Sequence, residues 1–417
     1  MSIDLGFAYA SLTPELAVGF VDVPGHEKFV RNMLAGVTAV DCALLVVAAD
    51  DGPMPQTREH LDILDLLGIR HGVVALTKID RVDGDRVDEV QTDIQNLLAR
   101  TTLAGADIIP VCAPEGVGID ELKLALSRHS GRTVPRTEDG FRLAIDRSFS
   151  LSGAGLVVTG HVFSGAINVD DTVLITPQGV EARVRGIHAN DKPAERGTAG
   201  ERCALNLAGA GIRREQVQRG QWVVAEGSHA PTQRLDARVH VPGTAAKPLT
   251  HWTPVHFHLG TQDVTARLAL LEADTIEPGE SGLVRVMPNK PLAAWVGDRF
   301  IVRDQSARRT IAGGEVLDAQ PPARGRAKPE RLDVLRIIEA DAPASALGAL
   351  ATAQNQGVEL DLFGRNWNLP TARLEDCVAS SGVFVCGRDS DRVGLAEHHW
   401  HSLRDAALVA LGQWHEQ

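Results

Sequence analysis

The chain has 417 residues, 44% hydrophobic and 23% charged, with 42 Lys and Arg against 54 Asp and Glu for a formal net charge of −12. The length exceeds the ~250–300 residues at which a single core stops growing, so several domains are required, and the acidic balance excludes a uniformly basic nucleic-acid binder while allowing a local basic patch. Five scattered cysteines (Cys42, Cys112, Cys203, Cys377, Cys386) with no C-x-x-C pair exclude a disulfide scaffold and a thiolate zinc site and indicate reduced thiols in the cytoplasm.

The first stretch, "MSIDLGFAY", has Asp4 early and no basic region before an apolar core, so no signal peptide is expected. The longest apolar runs, such as "ALLVVAA", fall far short of the ~20 residues of a membrane span. Residues 1–134 alternate the apolar runs 16–23, 42–49, 72–77 and 107–113 with the helix-spaced segments "HEKFVRNMLAG", "PQTREHLDILDLLG" and "DEVQTDIQNLLAR". Continuous apolar strands between amphipathic helices predict a doubly wound α/β domain on a parallel sheet. Pro55 suits the first turn of its helix and Gly68 its end.

After the linker "VPRTEDG" (134–140) the texture changes. Short strand-like runs broken by Gly and Pro predict two β-barrels, over 139–228 and 230–322. Beyond the Pro/Arg-rich connector "PPARGRAKPE", residues 330–417 show helical segments and a strand pair, the outline of a winged helix.

Three motifs follow successive strands. In "DVPGHEKF", Asp22 ends a strand and suits a Mg²⁺ ligand, Gly25 admits backbone N–H to a terminal phosphate, and His26 stands where an imidazole orients an attacking water. In "TKID", the Asp80 carboxylate suits the N1–H and N2–H₂ edge of guanine, and the Lys78 stem the ring face. In "VCAPEGVG", the turn at Cys112 and Ala113 lets a backbone N–H point at the guanine carbonyl. Singly, each is also a plain turn. In this order, at the carboxyl ends of strands in an open sheet, they indicate a guanine-nucleotide site.

The segment "VDVPGHEKFVRNMLAGVTAVDCALLVVAADDGPMPQTREHLDIL" resembles the translational GTPases of the elongation factor Tu group. "IDLGFAY", Thr77 in place of the usual Asn of N-K-x-D, and "FRLAIDRSFSLSGAGLVVTGHVFSG" resemble its selenocysteine-specific branch. Cys112 stands where many of these GTPases have Ser. The resemblance implies GTP and Mg²⁺ as ligands, with Thr77, Lys78, Asp80, Cys112 and Ala113 on guanine and Ser2 and Asp22 on the metal. It also implies a selenocysteine pocket of Asp146, Arg147 and Arg202, carried by "AIDR" and "AGERCALN". Guanidinium groups favour a selenol, which is anionic at neutral pH, over a serine hydroxyl. The implied partners are selenocysteyl-tRNA, the ribosome and, through further C-terminal modules, an mRNA hairpin; a monomer without membrane attachment is expected.

No G-x-x-x-x-G-K-[ST] occurs in the chain. That loop holds the β- and γ-phosphates. By the resemblance it lies upstream of "MSIDLGFAY", so the chain is expected to be truncated at both ends. Another elongation factor Tu-like GTPase, or a non-hydrolysing RNA-binding fragment, stays open at this point. The basic clusters at 211–220, 303–310 and 323–336 are RNA-phosphate contacts or solvated loops. His256 and His258 alternate onto one strand face, where barrel packing is expected over a metal site that lacks further ligands.

Overall fold

The computed structural model describes residues 2–14, 16–129, 135–152, 155–209, 212–388 and 391–415. Its first part begins with a hairpin. Strand β1 (Gly6–Ser11) pairs antiparallel with β2 (Ala17–Asp22), from Gly6 opposite Asp22 to Ser11 opposite Ala17. Helix α1 (Val30–Val37) follows, and packs so closely that a Cβ on Gly36 would meet Leu5 Cδ2 at 2.7 Å. Strands β3 (Ala43–Ala48), β4 (Gly72–Thr77) and β5 (Asp107–Val111) form a parallel sheet in that order. The crossovers carry α2 (Pro55–Leu66) and α3 (Gly84–Leu98), and α4 (Ile119–His129) follows β5. Pro55 opens α2, and Gly68 ends the turn after it at φ 69°.

The sequence predicts the 16–23 run as a member of the parallel sheet; in the structure it belongs to the antiparallel hairpin instead. The reason is local. A short turn, with Leu12 N–H donating to the Leu16 carbonyl at 2.9 Å, reverses the chain, and so short a link permits only antiparallel pairing. β2 is also half exposed, whereas β4 is buried along almost its whole length.

Six strands of the next part close into a barrel: β6 (Arg142–Leu151), β7 (Gly155–Ser164), β8 (Thr172–Thr176), β9 (Val180–Ala189), β10 (Arg202–Ala208) and β11 (Trp222–Val224). The ring runs β9-β10-β7-β6-β11-β8 and back to β9. Leu143, Ile145, Val158, Val173, Val184 and Leu205 fill it. A second barrel is built from β12 (Leu235–His240), β13 (Thr253–Leu259), β14 (Gln262–Leu270), β15 (Ser281–Pro288), β16 (Arg299–Asp304) and β17 (Thr310–Asp318). It closes in the order β12-β15-β14-β13-β16-β17.

Buried aromatics fuse the two barrels. Trp222 and Trp295 meet edge to face at 5.4 Å, and the Arg142 guanidinium lies 4.3 Å from the Trp295 ring while donating to Asp298 at 2.9 Å. The α/β part docks on the second barrel through Ile301, which joins Val30, Leu34, Ile63 and Leu66 in one cluster. Polar ties surround that contact: Arg31 to Asp263 at 2.9 Å, Arg303 to Glu59 at 2.8 Å and Thr244 to Asp62 at 2.7 Å.

The C-terminal part has α5 (Pro329–Ala340), α6 (Pro343–Ala353), β18 (Val358–Glu359), α7 (Leu360–Asn366), α8 (Thr371–Ser381), β19 (Phe384–Cys386), β20 (Val393–Leu395) and α9 (Glu397–His415). The small sheet β18-β20-β19 beside the helices completes the winged-helix outline. Helix α7 is not expected from sequence, because two turns are too short to show a period. Arg331 of α5 anchors this part, donating at 2.6 Å to both Asp236 and Asp318 of the second barrel. Among the described residues, no helix is long and apolar enough to cross a membrane.

Candidate functional site

Asp22 is the last residue of β2, and the Ser2 hydroxyl donates to its Oδ2 at 2.8 Å. The two oxygens predicted for Mg²⁺ are therefore neighbours, a hard donor pair of the kind such an ion takes. Asn32 of α1 holds the same segment by donating to the Ile3 carbonyl at 2.8 Å. Gly25 is exposed, and the nearest atom to a Cβ built there, His60 Cε1, lies 3.8 Å away. His26 caps the short turn Glu27–Phe29, its Nδ1 accepting the Lys28 amide at 3.2 Å. With Nδ1 engaged as an acceptor, the neutral ring carries its proton on Nε2. That nitrogen is set to donate to a water oxygen.

The residues predicted to read guanine lie at the ends of β4 and β5, where Thr77 is paired with Val111. The Thr77 hydroxyl donates to the Val47 carbonyl at 3.3 Å, tying the neighbouring strand end. Lys78 sits at φ 60°, in the left-handed region, and Nζ bonds both Asp50 oxygens at 3.0 Å. That hydrogen bond raises the Lys78 pKa and lowers that of Asp50. Asp80 lies in the turn Ile79–Arg81, and Ala113 opens the turn Ala113–Glu115 directly after Cys112. Burial pushes the Cys112 thiol up, and the Asp80 carboxylate beside it adds to the effect. The fold thus brings Asp80 and Cys112 into contact across two loops.

Asp146 and Arg202 meet on the first barrel. Arg202 donates from Nε and Nη2 to the two Asp146 oxygens at 3.0 Å each, and from Nη2 to Thr159 Oγ1 at 3.0 Å. Thr159 donates in turn to Asp146, closing a three-residue network. A register shift between Ile145 and Arg147 lets consecutive residues of β6 serve one site. His161 stands opposite Arg202 on β7, and desolvation drives its pKa down to about 4, opposed by Asp146 and helped by Arg202.

The opening segment runs from one site to the other. Ser2 is bonded to Asp22, whereas Arg147 Nη2 donates to the Leu5 carbonyl at 2.7 Å. The Phe7 ring centroid lies 3.6 Å from the Arg202 guanidinium and 5.6 Å from that of Arg147. Asp4 pairs with Arg219 at 3.5 Å. Phe7, Thr159 and His161 are not predicted from sequence as site residues. Thr159 and His161 do alternate along "VVTGHV", the one available signal, but their partners lie on other strands.

His256 Nδ1 lies 3.0 Å from Asp263 Oδ1, and the His256 and His258 rings stack at 6.3 Å. Asp263 also takes Arg31, so the pair belongs to the contact between the α/β part and the second barrel. Among the described residues, no group of three or more His, Cys, Asp or Glu is placed to hold a metal ion.

Residues 1–131 match the elongation factor Tu GTP binding domain, 155–224 elongation factor Tu domain 2, and 236–323 the beta-barrel domain of selenocysteine-specific elongation factor. The selenocysteine-specific elongation factor of Desulfomicrobium baculatum is 44% identical over 319 residues, 76% of this chain and 50% of that protein. That of Escherichia coli K12 is 44% identical over 420 residues, 100% of this chain and 65% of that protein. The Haemophilus influenzae protein of the same name is 37% identical over 421 residues, again 100% and 65%. The chain thus spans 50% to 65% of the length of these relatives.

Among solved structures, bacterial selenocysteine-specific elongation factor EF-Sec has the same fold, with a TM-score of 0.80 and 24% identity over 96% of this chain and 64% of that one. Translation elongation factor SelB of Methanococcus maripaludis, in complex with the GTP analogue GPPNHP, gives a TM-score of 0.70 and 26% identity over 77% of this chain and 74% of that one.

Proposed function

Because the chain belongs to the selenocysteine-specific elongation factors of the elongation factor Tu group, we propose that it carries the guanine-reading, water-orienting and aminoacyl-binding parts of a GTPase that delivers selenocysteyl-tRNA to the ribosome at recoded UGA codons. The observation that carries this reading is the arginine pair at the first barrel. Arg202 and Arg147 flank one aromatic ring, and that ring belongs to the segment holding Ser2. Two guanidinium groups favour a selenolate over a neutral hydroxyl. Asp146 suits the α-amino group of the same residue.

On the nucleotide side, Asp80 accepts from the N1–H and N2–H₂ edge, a donor pair adenine lacks. Lys78, fixed by Asp50, lays its stem along the base. Ser2 and Asp22 would hold Mg²⁺, which would neutralise phosphate charge there. His26 orients the attacking water through Nε2–H and leaves its proton to be taken elsewhere. The protein acts in the cytoplasm as a monomer.

Nucleotide competition tests the base site. It is run on the 417-residue chain and on the same chain with a G-x-x-x-x-G-K-T strand, loop and helix fused before Met1. GTP and GDP should displace a fluorescent guanine nucleotide from the fused chain and ATP should not, and Asp80→Ala should abolish the difference. Equal displacement by ATP and GTP would overturn the guanine assignment.

A further inference from the structure

Trp252 sits in the turn that enters β13, at φ 63°. Glycine and asparagine take that left-handed region readily, and a bulky residue there is an outlier that calls for a reason. Burial is not the reason, since 39% of Trp252 is exposed. The ring is instead flanked by Arg326 and His251. The Arg326 guanidinium lies 5.2 Å from its centroid, and His251 meets its edge at 5.5 Å and 82°. Arg267 Nη1 reaches the Trp252 carbonyl at 3.4 Å. His251 is itself oriented, its Nδ1 accepting the Leu270 amide at 3.1 Å with Arg326 Nη2 3.5 Å from its other nitrogen.

Arg326 belongs to the connector "ARGRAKPE", 75 positions from His251 in sequence. The fold therefore joins the connector's basic run to the one exposed aromatic of "HWTPVHFH". A partly exposed indole beside guanidinium groups that have no carboxylate partner among the described residues is complementary to a nucleobase with its flanking phosphates.

We propose that Trp252, with Arg326 and Arg267, is a stacking site for an unpaired RNA nucleobase. The base lies on the open face of the indole, and the guanidinium groups take the adjacent phosphates. The site is separate from the nucleotide and aminoacyl sites and requires neither. A paired base has its faces covered by its neighbours in the helix, so single-stranded or extruded positions are selected.

The test is fluorescence anisotropy of the 417-residue chain with a labelled single-stranded RNA of about 12 nucleotides and with its blunt duplex. Trp252→Gly should weaken single-strand binding by about 5- to 100-fold and leave duplex binding unchanged. Its melting temperature should be equal to wild type or higher, because glycine takes φ 63° without strain. Trp252→Phe should keep most of the affinity, and Arg326→Ala should lower the slope of log affinity against log salt by about 0.7. Wild-type single-strand affinity in Trp252→Gly overturns the proposal, as does an equal loss on single strand and duplex. A lowered melting temperature in Trp252→Gly, with Trp252→Phe binding no better, makes the ring a packing element and overturns it too.

Discussion

Arg202→Ala removes two bonds to a carboxylate that is 7% exposed, and a third to Thr159. Breaking a buried ion pair from one side strands the other charge, at about 3–5 kcal/mol. The Arg202 side chain is itself 15% exposed, and Thr159 still donates to Asp146, so the lower end, about 3 kcal/mol, is expected. The double variant Asp146→Asn with Arg202→Met removes both charges together and should lose only about 1 kcal/mol. The double variant should therefore be more stable than Arg202→Ala alone by roughly 2 kcal/mol.

A chain of several domains does not unfold in one step, so a melting temperature alone does not assign this loss to the first barrel. Hydrogen exchange of the β6, β7 and β10 amides reads the local opening free energy directly. Wild-type protection in Arg202→Ala, or a double variant as unstable as the single, would refute the reasoning. Because it strands a buried carboxylate, Arg202→Ala is a poor probe of ligand preference. Arg202→Lys keeps the charge and sacrifices only the bidentate geometry.

Three further outcomes are expected. His258 is buried with its pKa pushed down to about 4, chiefly by desolvation, so the folded ring resists a proton that the unfolded chain takes below about pH 6.5. This contribution is full above about pH 6.5 and falls towards about pH 4, by about 2 kcal/mol at pH 5; His258→Leu should remove that share of the acid loss in thermal melts and leave the share due to His161, and an unchanged acid loss would contradict this. Gly36→Val would drive a side chain into Leu5, whose Cδ2 stands 2.7 Å from a Cβ built there. It should cost about 1–3 kcal/mol and raise exchange in residues 2–8; wild-type protection there would show that the helix does not seat the segment. Arg331→Ala should cost about 2–4 kcal/mol by stripping one partner from fully buried Asp236, and should expose the connector to limited proteolysis. Cleavage at the wild-type rate would mean that other contacts hold α5.

What could be read in the linear chain was whatever depends on neighbours in sequence. Apolar runs mark β3, β4 and β5, Pro55 marks a helix start, and strand-end motifs place Asp22, Lys78 and Asp80. The strand-paired partners could not be read in the same way. Thr159 and His161 act through β10 and β6, and the seat of Phe7 between Arg147 and Arg202 depends on how a hairpin lies against a barrel. The pairing of β2 with β1 is set by a turn that Pro14 signals locally, but an apolar run does not itself say which strand it pairs with. His256 and His258 were legible as a shared face, but not as neighbours of Arg31 from the first domain.

On the proposed reading, the guanidinium pair on the first barrel selects a selenolate. The most direct measurement of that preference compares the affinity of the phosphate-loop-fused chain, with GTP, for one tRNA charged with selenocysteine and the same tRNA charged with serine. Tighter binding of the selenocysteyl form, reduced by Arg202→Lys without loss of fold, is the expected result. Equal affinity for the two would contradict the account.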